Sequence, residues 1–358
     1  MGITRLEVSN FRNLQKVQLI PHHHINILIG PNGSGKTSVL EAIYLLGRGR
    51  SFRISKNKNL IRAGETRSRV FAEIDHDRPH RIGVEIEGNR FKGKLDGISL
   101  QRSSDLAKAF PLTLITPDSS KLVQSAPSLR RKFLELGLFH VKHDYFPAWQ
   151  RYVKSLNQRN QALRRGEKGQ AMIWAKQLVE YGGGLDDARR DYISRYSEIV
   201  ESILSELMAY NKLTIGYYPG WGDSKTFEDA LNECFDSDLQ RGFTQRGPHR
   251  ADLRIDVDGK PAAQYLSGGQ QRILACALIL AQATLYQRMT HRGYTVLVDD
   301  FAAELDGESR GRFLTVLSNL KHQIFITVTG SDAIDVNNIG EHHVFHVKQG
   351  QITLNDAH

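Results

Sequence analysis

Cysteine is nearly missing from this chain: Cys234 and Cys276 are the only two in 358 residues, and neither has a partner at C-x-x-C spacing. Disulfide scaffolds and cysteine-built zinc sites therefore lack ligands, and both thiols are expected to be buried and reduced. Long apolar runs are missing too. The longest, Ile273 to Ala281, is nine residues, against the roughly 20 needed to cross a bilayer, so no membrane partner is expected. No apolar segment follows Met1-Gly-Ile-Thr-Arg5, so no secretory signal is read and a cytoplasmic location is expected. Repeats, low-complexity tracts and sustained heptads are also lacking, which argues against solenoids and a long coiled coil.

What is present is an ordinary globular composition, 40% hydrophobic and 24% charged, in a chain long enough for two or three lobes. Its 48 Lys and Arg outnumber 39 Asp and Glu, a net charge of +9. Such an excess points to a polyanionic partner such as nucleic acid, bound more weakly as salt rises.

The first part alternates short strands and turns. Ile25-Asn-Ile-Leu-Ile29 is a strand running straight into glycines and then into the apolar helix Thr37 to Leu46. Val70 to Ile74, Arg81 to Ile86 and Phe91 to Leu95, the last ending in Asp96-Gly97, read as an antiparallel meander. From about Pro127 to Tyr210 the period turns helical, with Ile193, Tyr196, Val200, Ile203 and Leu207 on one face. Gly182-Gly-Gly184 is expected to turn or kink this lobe. Strands return at Leu213 to Tyr217 and Leu253 to Val257, followed by one long helix from Ser267 to Arg288 and the strand Thr295 to Val298.

Gly30-Pro31-Asn32-Gly33-Ser34-Gly35-Lys36-Thr37 fits G-x-x-x-x-G-K-[ST] between that first strand and helix. Small residues there let backbone N–H groups close around phosphate oxygens at a positive helix end. Lys36 would neutralise the β and γ phosphates of ATP, the Thr37 hydroxyl would ligate Mg²⁺, and Ser38 completes the phosphate-binding set. Tyr294-Thr-Val-Leu-Val-Asp299-Asp300 is an apolar strand ending in two carboxylates, a Walker B candidate. Asp299 would help hold Mg²⁺, and Asp300 would orient or deprotonate the attacking water.

Leu266-Ser267-Gly268-Gly269-Gln270-Gln271 opens the long helix and resembles the signature motif of the ABC ATPase superfamily. Capping needs only Ser267, so the glycines are the informative part. The resemblance implies that Ser267, Gly268, Gly269 and Gln270 face ATP held by a second copy in an ATP-dependent homodimer, and that Glu304-Leu-Asp306 crosses the same interface. Transporter relatives usually carry a His where Ile324-Phe-Ile-Thr-Val-Thr-Gly330 has Gly330.

Further stretches resemble the RecF family of bacterial recombination mediators over nearly the whole chain: Leu6-Glu-Val-Ser-Asn-Phe-Arg-Asn13, Gly47 to Arg53, Pro117 to Glu135, Thr244 to Leu253 and Val298 to Asp306. Ser125-Ala126 and Glu135 depart from the family pattern, where Gly-Ser and Asp are expected. The resemblance implies that Arg12 lies near the nucleotide. It further implies a weak, DNA-stimulated ATPase that binds single- and double-stranded DNA and works with RecO and RecR at gaps to load RecA onto strands coated by SSB. A transport or ribosome-associated ATPase, and a nucleotide-gated scaffold with vestigial hydrolysis, stand as alternatives.

Between Ala42 and Gly64 no acid occurs, while Arg48, Arg50, Arg53, Lys56, Lys58 and Arg62 accumulate. These are the local candidates for DNA phosphate contacts, against a solvated basic loop. Arg130-Arg-Lys132 spreads around a helix, and Arg246 and Arg250 could face DNA or nucleotide. His249, beside Pro248, reads as structural. Three adjacent histidines, His22 to His24, cannot all reach one ion if they alternate faces. The expected architecture is α/β: an ABC-type P-loop ATPase head formed by residues 1–115 and 241–358, with an inserted helical lobe over 116–240.

Overall fold

A computed structural model describes residues 2–75, 78–222, 225–300, 305–330 and 339–355. By its internal contacts the chain falls into two compact units, Met1–Ser119 with Glu206–Met208 and Cys276–His358, and Ser120–Ser205 with Ala209–Ala275.

The first unit holds two six-stranded sheets. One joins β1 (Gly2–Phe11), β2 (Leu14–Leu19), β4 (Arg67–Asp75), β5 (Pro79–Glu87), β6 (Arg90–Leu95) and β7 (Ile98–Ser99) in the order β2-β1-β4-β5-β6-β7. All its pairings are antiparallel, as the meander pattern predicts. The other joins β3 (Ile25–Ile29), β8 (Leu112–Ile115), β12 (Thr295–Val298), β13 (Gln323–Val328), β14 (His342–Lys348) and β15 (Gln351–Asn355) in the order β15-β14-β3-β13-β12-β8. Only the edge hairpin β14–β15 is antiparallel. The strands β3, β12 and β13 are buried along their whole length, as continuous apolar runs in a covered parallel sheet should be.

Helix α1 (Lys36–Arg48) contacts strands of both sheets. Val39, Leu40, Ala42, Ile43, Leu45 and Leu46 have no exposed surface and share one core with Leu6, Val70, Leu28 and Phe325. Each such Val, Leu or Ile side chain contributes about 2 kcal/mol on burial, so the helix that begins at the glycine loop is anchored rigidly.

In the second unit, β9 (Leu213–Tyr218), β10 (Asp252–Val257) and β11 (Lys260–Pro261) form a three-stranded antiparallel sheet beside long helices. The division at Ala275 departs from the expected boundary at 240 because β10 pairs with β9 and its Asp252 takes a bidentate ion pair from Arg130, with both bonds at 2.9 Å. Residues expected in the C-terminal head are thereby tied to the second unit.

Helix α2 (Lys168–Leu207) also corrects an expectation, running 40 residues without a break at Gly182-Gly-Gly184. A Cβ on Gly182 would lie 2.6 Å from the Phe227 ring, so this glycine admits a neighbouring aromatic and does not mark a turn. The expected stripe is core: Ile193, Tyr196, Val200 and Ile203 are buried. Helix α3 (Gly268–Thr290) is long and apolar enough to cross a membrane by length and composition, but 67% of its apolar window is buried inside the protein. It is apolar all round because it is a core helix.

Candidate functional site

The loop between β3 and α1 closes one wall of a cavity of about 990 Å³ in the first unit. Its shape depends on glycine at defined places. A Cβ on Gly30 would sit 2.2 Å from the Val347 carbonyl, and Gly35 has φ 120, a conformation side chains rarely adopt. Gly33, at φ 77, completes the turn. The loop is held from outside by two further turns. Between β1 and β2, Asn13 accepts a 2.8 Å bond from Ser38 Oγ and donates to the Gly33 carbonyl at 3.3 Å. Between β14 and β15, the Gly350 N–H donates to the Ser34 carbonyl at 2.8 Å, and Gln349 lines the cavity.

Lys36 donates to the Gly30 and Pro31 carbonyls at 2.6 and 3.0 Å. Burial lowers its pKa, and Asp300 and Asp299 oppose the shift. Its charge is thus held at the cavity wall beside two carboxylates. Ser34 Oγ is buried with no hydrogen-bond partner among the described residues, an orphaned donor in the loop that an anionic oxygen would satisfy.

β12 delivers Asp299 to the same cavity. β3, which leads into the glycine loop (the Walker A motif), and the Walker B strand β12 are not neighbours: β13 lies between them, with Val298 opposite Ile326 and Ile326 opposite Ile27. That strand supplies the link, since Thr327 donates to Asp299 Oδ1 at 2.8 Å while accepting from the Asp300 N–H at 2.8 Å. Thr37 donates to the same Oδ1 at 2.9 Å. Burial nevertheless raises the Asp299 pKa, against the two threonine hydrogen bonds and the charge of Arg53. A hydroxyl and an under-compensated carboxylate in contact make a hard oxygen donor set, which fits Mg²⁺. Asp300 is exposed in the cavity wall, its backbone in the left-handed region at φ 53.

Arg12 lines the cavity, but its guanidinium is also bound at 2.9 Å on both Nε and Nη2 by Glu41, a side chain with no exposure. The basic segment splits. Arg48 bonds inward to the Leu112 carbonyl at 2.6 Å, and Arg53 and Arg62 line the cavity, Arg62 donating to the Asn13 carbonyl at 2.9 Å. Of the six basic residues of this segment, Arg50, Lys56 and Lys58 are exposed away from that lining.

The signature segment lies in the second unit. Ser267 and Gln270 form a reciprocal cap: the Gln270 N–H donates to Ser267 Oγ at 3.3 Å and the Ser267 N–H to Gln270 Oε1 at 3.0 Å. Residues 301–304, with Glu304, fall outside the described residues. Asp306 accepts from the Ser309 N–H at 2.8 Å and caps the helix Gly307–Asn319.

Arg131 and His249 are structural. Arg131 bonds the Ala251 carbonyl at 2.8 Å. His249 lies between the Tyr152 hydroxyl at 2.8 Å and the Thr244 carbonyl at 3.0 Å, and burial pushes its pKa down to about 4. Sequence reasoning missed Asn13, Thr327, Thr329 and Gln349. Only Thr327 carried a signal, as a hydroxyl inside the apolar run Ile324-Phe-Ile-Thr-Val328.

The family model described as the RecF/RecN/SMC N terminal domain matches residues 2–353. A DNA replication and repair protein RecF of Pseudomonas putida is 40% identical over 366 residues, covering 100% of both chains. Another, of Stutzerimonas stutzeri, is 39% identical and covers 99% of this chain and 97% of that one. The solved structure of the recombination mediator protein RecF with ATP, of the RecFOR pathway, superposes with a TM-score of 0.84 at 27% identity, covering 99% of this chain and 97% of that one. An Smc head domain of Pyrococcus furiosus, at 17% identity and TM-score 0.63, shares the fold. The architecture is that of an ABC-type ATPase head, and with end-to-end identity at this level the chain belongs to the RecF family.

Proposed function

We propose that this chain is an ATP-hydrolysing, DNA-binding protein of replication and recombinational repair, which closes as an ATP-dependent homodimer on gapped DNA. Phosphates of ATP occupy Gly30 to Ser38, with Lys36 countering their charge. Thr37 and Asp299 hold Mg²⁺, which supplies further neutralisation of the phosphates. Asp300 takes a proton from the attacking water, a slow step because an aspartate reaches less far than the Glu usual in the superfamily. Arg50, Lys56 and Lys58 contact DNA phosphates without reading bases. The similarity to RecF of the RecFOR pathway supports RecO and RecR as partners and RecA loading as the outcome.

One observation carries the dimer reading. Gly268 and Gly269 open α3 on the surface, and a Cβ on either would meet nothing within 4 Å. Nothing among the described residues requires glycine there, although glycine is a poorer helix former than alanine. Bare helix N-terminal donors suit a phosphate brought by a second copy.

Sedimentation with and without ATP·Mg²⁺, together with binding to gapped and blunt duplex DNA across a salt series, tests this reading. ATP should produce a dimer that binds DNA more tightly. Lys36→Met and Ser267→Arg should abolish both effects. Asp300→Asn should keep the dimer while hydrolysis slows by at least about 100-fold. A monomer indifferent to ATP and DNA would refute the reading.

A further inference from the structure

At the opposite end of β3 from the glycine loop lies a cluster of imidazoles that nucleotide chemistry does not use. We propose that His22, His23 and Glu341, with His343 as a fourth donor, form a binding site for a borderline divalent transition ion of the Zn²⁺ type.

The site is assembled by the parallel pairing of β3 with β14, in which His343 stands opposite Asn26. His22 and His23 occupy the irregular segment just before β3, where the alternation of a strand does not apply. One potential ligand atom from each of His22, His23 and Glu341 lies within 4.8 Å of the others, and His22 Nε2 is 3.8 Å from Glu341 Oε2. Donors of a tetrahedral Zn²⁺ site stand about 3.3 Å apart, a gap that small side-chain rotations close. The His22 ring lies 4.1 Å from that of His23 and 5.2 Å from that of His343, centroid to centroid. His343 uses Nδ1 on the Ile20 carbonyl at 3.3 Å, which orients the ring and leaves Nε2 for a metal, the usual arrangement of a ligating histidine. His24 lies outside the cluster, its Nε2 bonded to the Leu320 carbonyl at 2.9 Å.

The scaffold is rigid where a site needs it. Asn26, with no exposed surface, grips the His22 backbone from both sides, accepting from its N–H at 2.7 Å and donating to its carbonyl at 2.9 Å. Gln323 donates to that carbonyl at 2.9 Å as well. The chemistry then selects the ion. Imidazole together with carboxylate suits Zn²⁺, Ni²⁺ or Cu²⁺ better than Mg²⁺. Binding at His22 Nε2 places the proton on Nδ1 and gives up the 3.2 Å contact from the His24 N–H. The five residues of β3 separate this cluster from the glycine loop by about 16 Å, so the two metal sites are independent.

The full-length protein, stripped of metal with a chelator, is titrated with Zn²⁺ against a chromophoric competitor at pH 7.5. A single ion should bind per chain. His22→Ala, His23→Ala and Glu341→Gln should each raise the Kd by about tenfold or more, while His346→Ala, an exposed histidine of the same strand, should leave it unchanged. Glu341 and His23 are exposed, so their variants retain the fold, checked by an unchanged melting curve without metal. No stoichiometric Zn²⁺ binding, unchanged affinity in the His22 and His23 variants, or displacement of Zn²⁺ by equimolar Mg²⁺ would each overturn the site.

Discussion

Arg12 shows how one side chain can serve two demands. The family resemblance implies nucleotide proximity, and Arg12 does line the cavity, yet Glu41 engages its Nε and Nη2 while Nη1 donates to the Asn59 carbonyl at 3.1 Å. The Glu41 side chain is 0% exposed and is also bonded by Ser51, whose Oγ accepts from the Arg53 and Ile54 N–H groups at 2.9 and 3.0 Å. The basic loop, the first turn and α1 therefore meet at one buried carboxylate. Removing the cation leaves that charge unpaired, so Arg12→Ala should lower the unfolding free energy by roughly 3 kcal/mol in urea without any nucleotide. Arg12→Met with Glu41→Leu should recover much of it. If Arg12 served only the ligand, the urea midpoint would stay put and ATP affinity alone would fall.

At the scale of elements, α2 carries the test of what glycine does in a helix. Gly183 and Gly184 face open space, so Gly183→Ala and Gly184→Ala should each stabilise by about 0.5 to 1 kcal/mol, whereas Gly182→Ala drives a methyl into the Phe227 ring and should cost about 1 to 3 kcal/mol. Thermal melts of the three variants check the order; equal shifts would mean that the triplet is a hinge. The same helix marks the limit of sequence reading. Periodicity and the glycine loop place β3, α1 and the strand Thr295 to Val298 because local physics dictates them: a buried parallel strand is continuously apolar, and a phosphate loop needs small residues. Gly182 looks like punctuation in the sequence because the Phe227 ring that explains it lies 45 residues away. Asn13, Thr329 and Gln349 were hidden for the same reason, since each reaches the cavity from a turn or strand end with no local mark. Counting charge in the basic segment likewise could not separate Arg48, which bonds inward, from the exposed Arg50.

The whole molecule divides its signals between two units, Walker A and B in one and the signature in the other, so acid can be used to ask whether the units fail together. Each unit holds a histidine whose pKa is pushed down to about 4 by desolvation: the buried His322 in the first and the partly buried His249 in the second. The sign follows from the reference value of 6.5. Below that pH the unfolded chain takes up a proton that the folded chain refuses until about pH 4, so stability falls as pH drops through this window. A shift of that size corresponds to roughly 3 kcal/mol per histidine at the lower end. Hydrogen exchange at pH 7 and pH 5, corrected for intrinsic rates, should show protection falling both in β13 and around Thr244 to Arg250. His322→Gln should flatten the pH dependence of β13 alone, and His249→Gln that of the second unit alone. Protection unchanged between the two pH values would mean that neither ring is held neutral, whereas loss of both regions in step, whichever histidine is replaced, would show that the two units unfold as one.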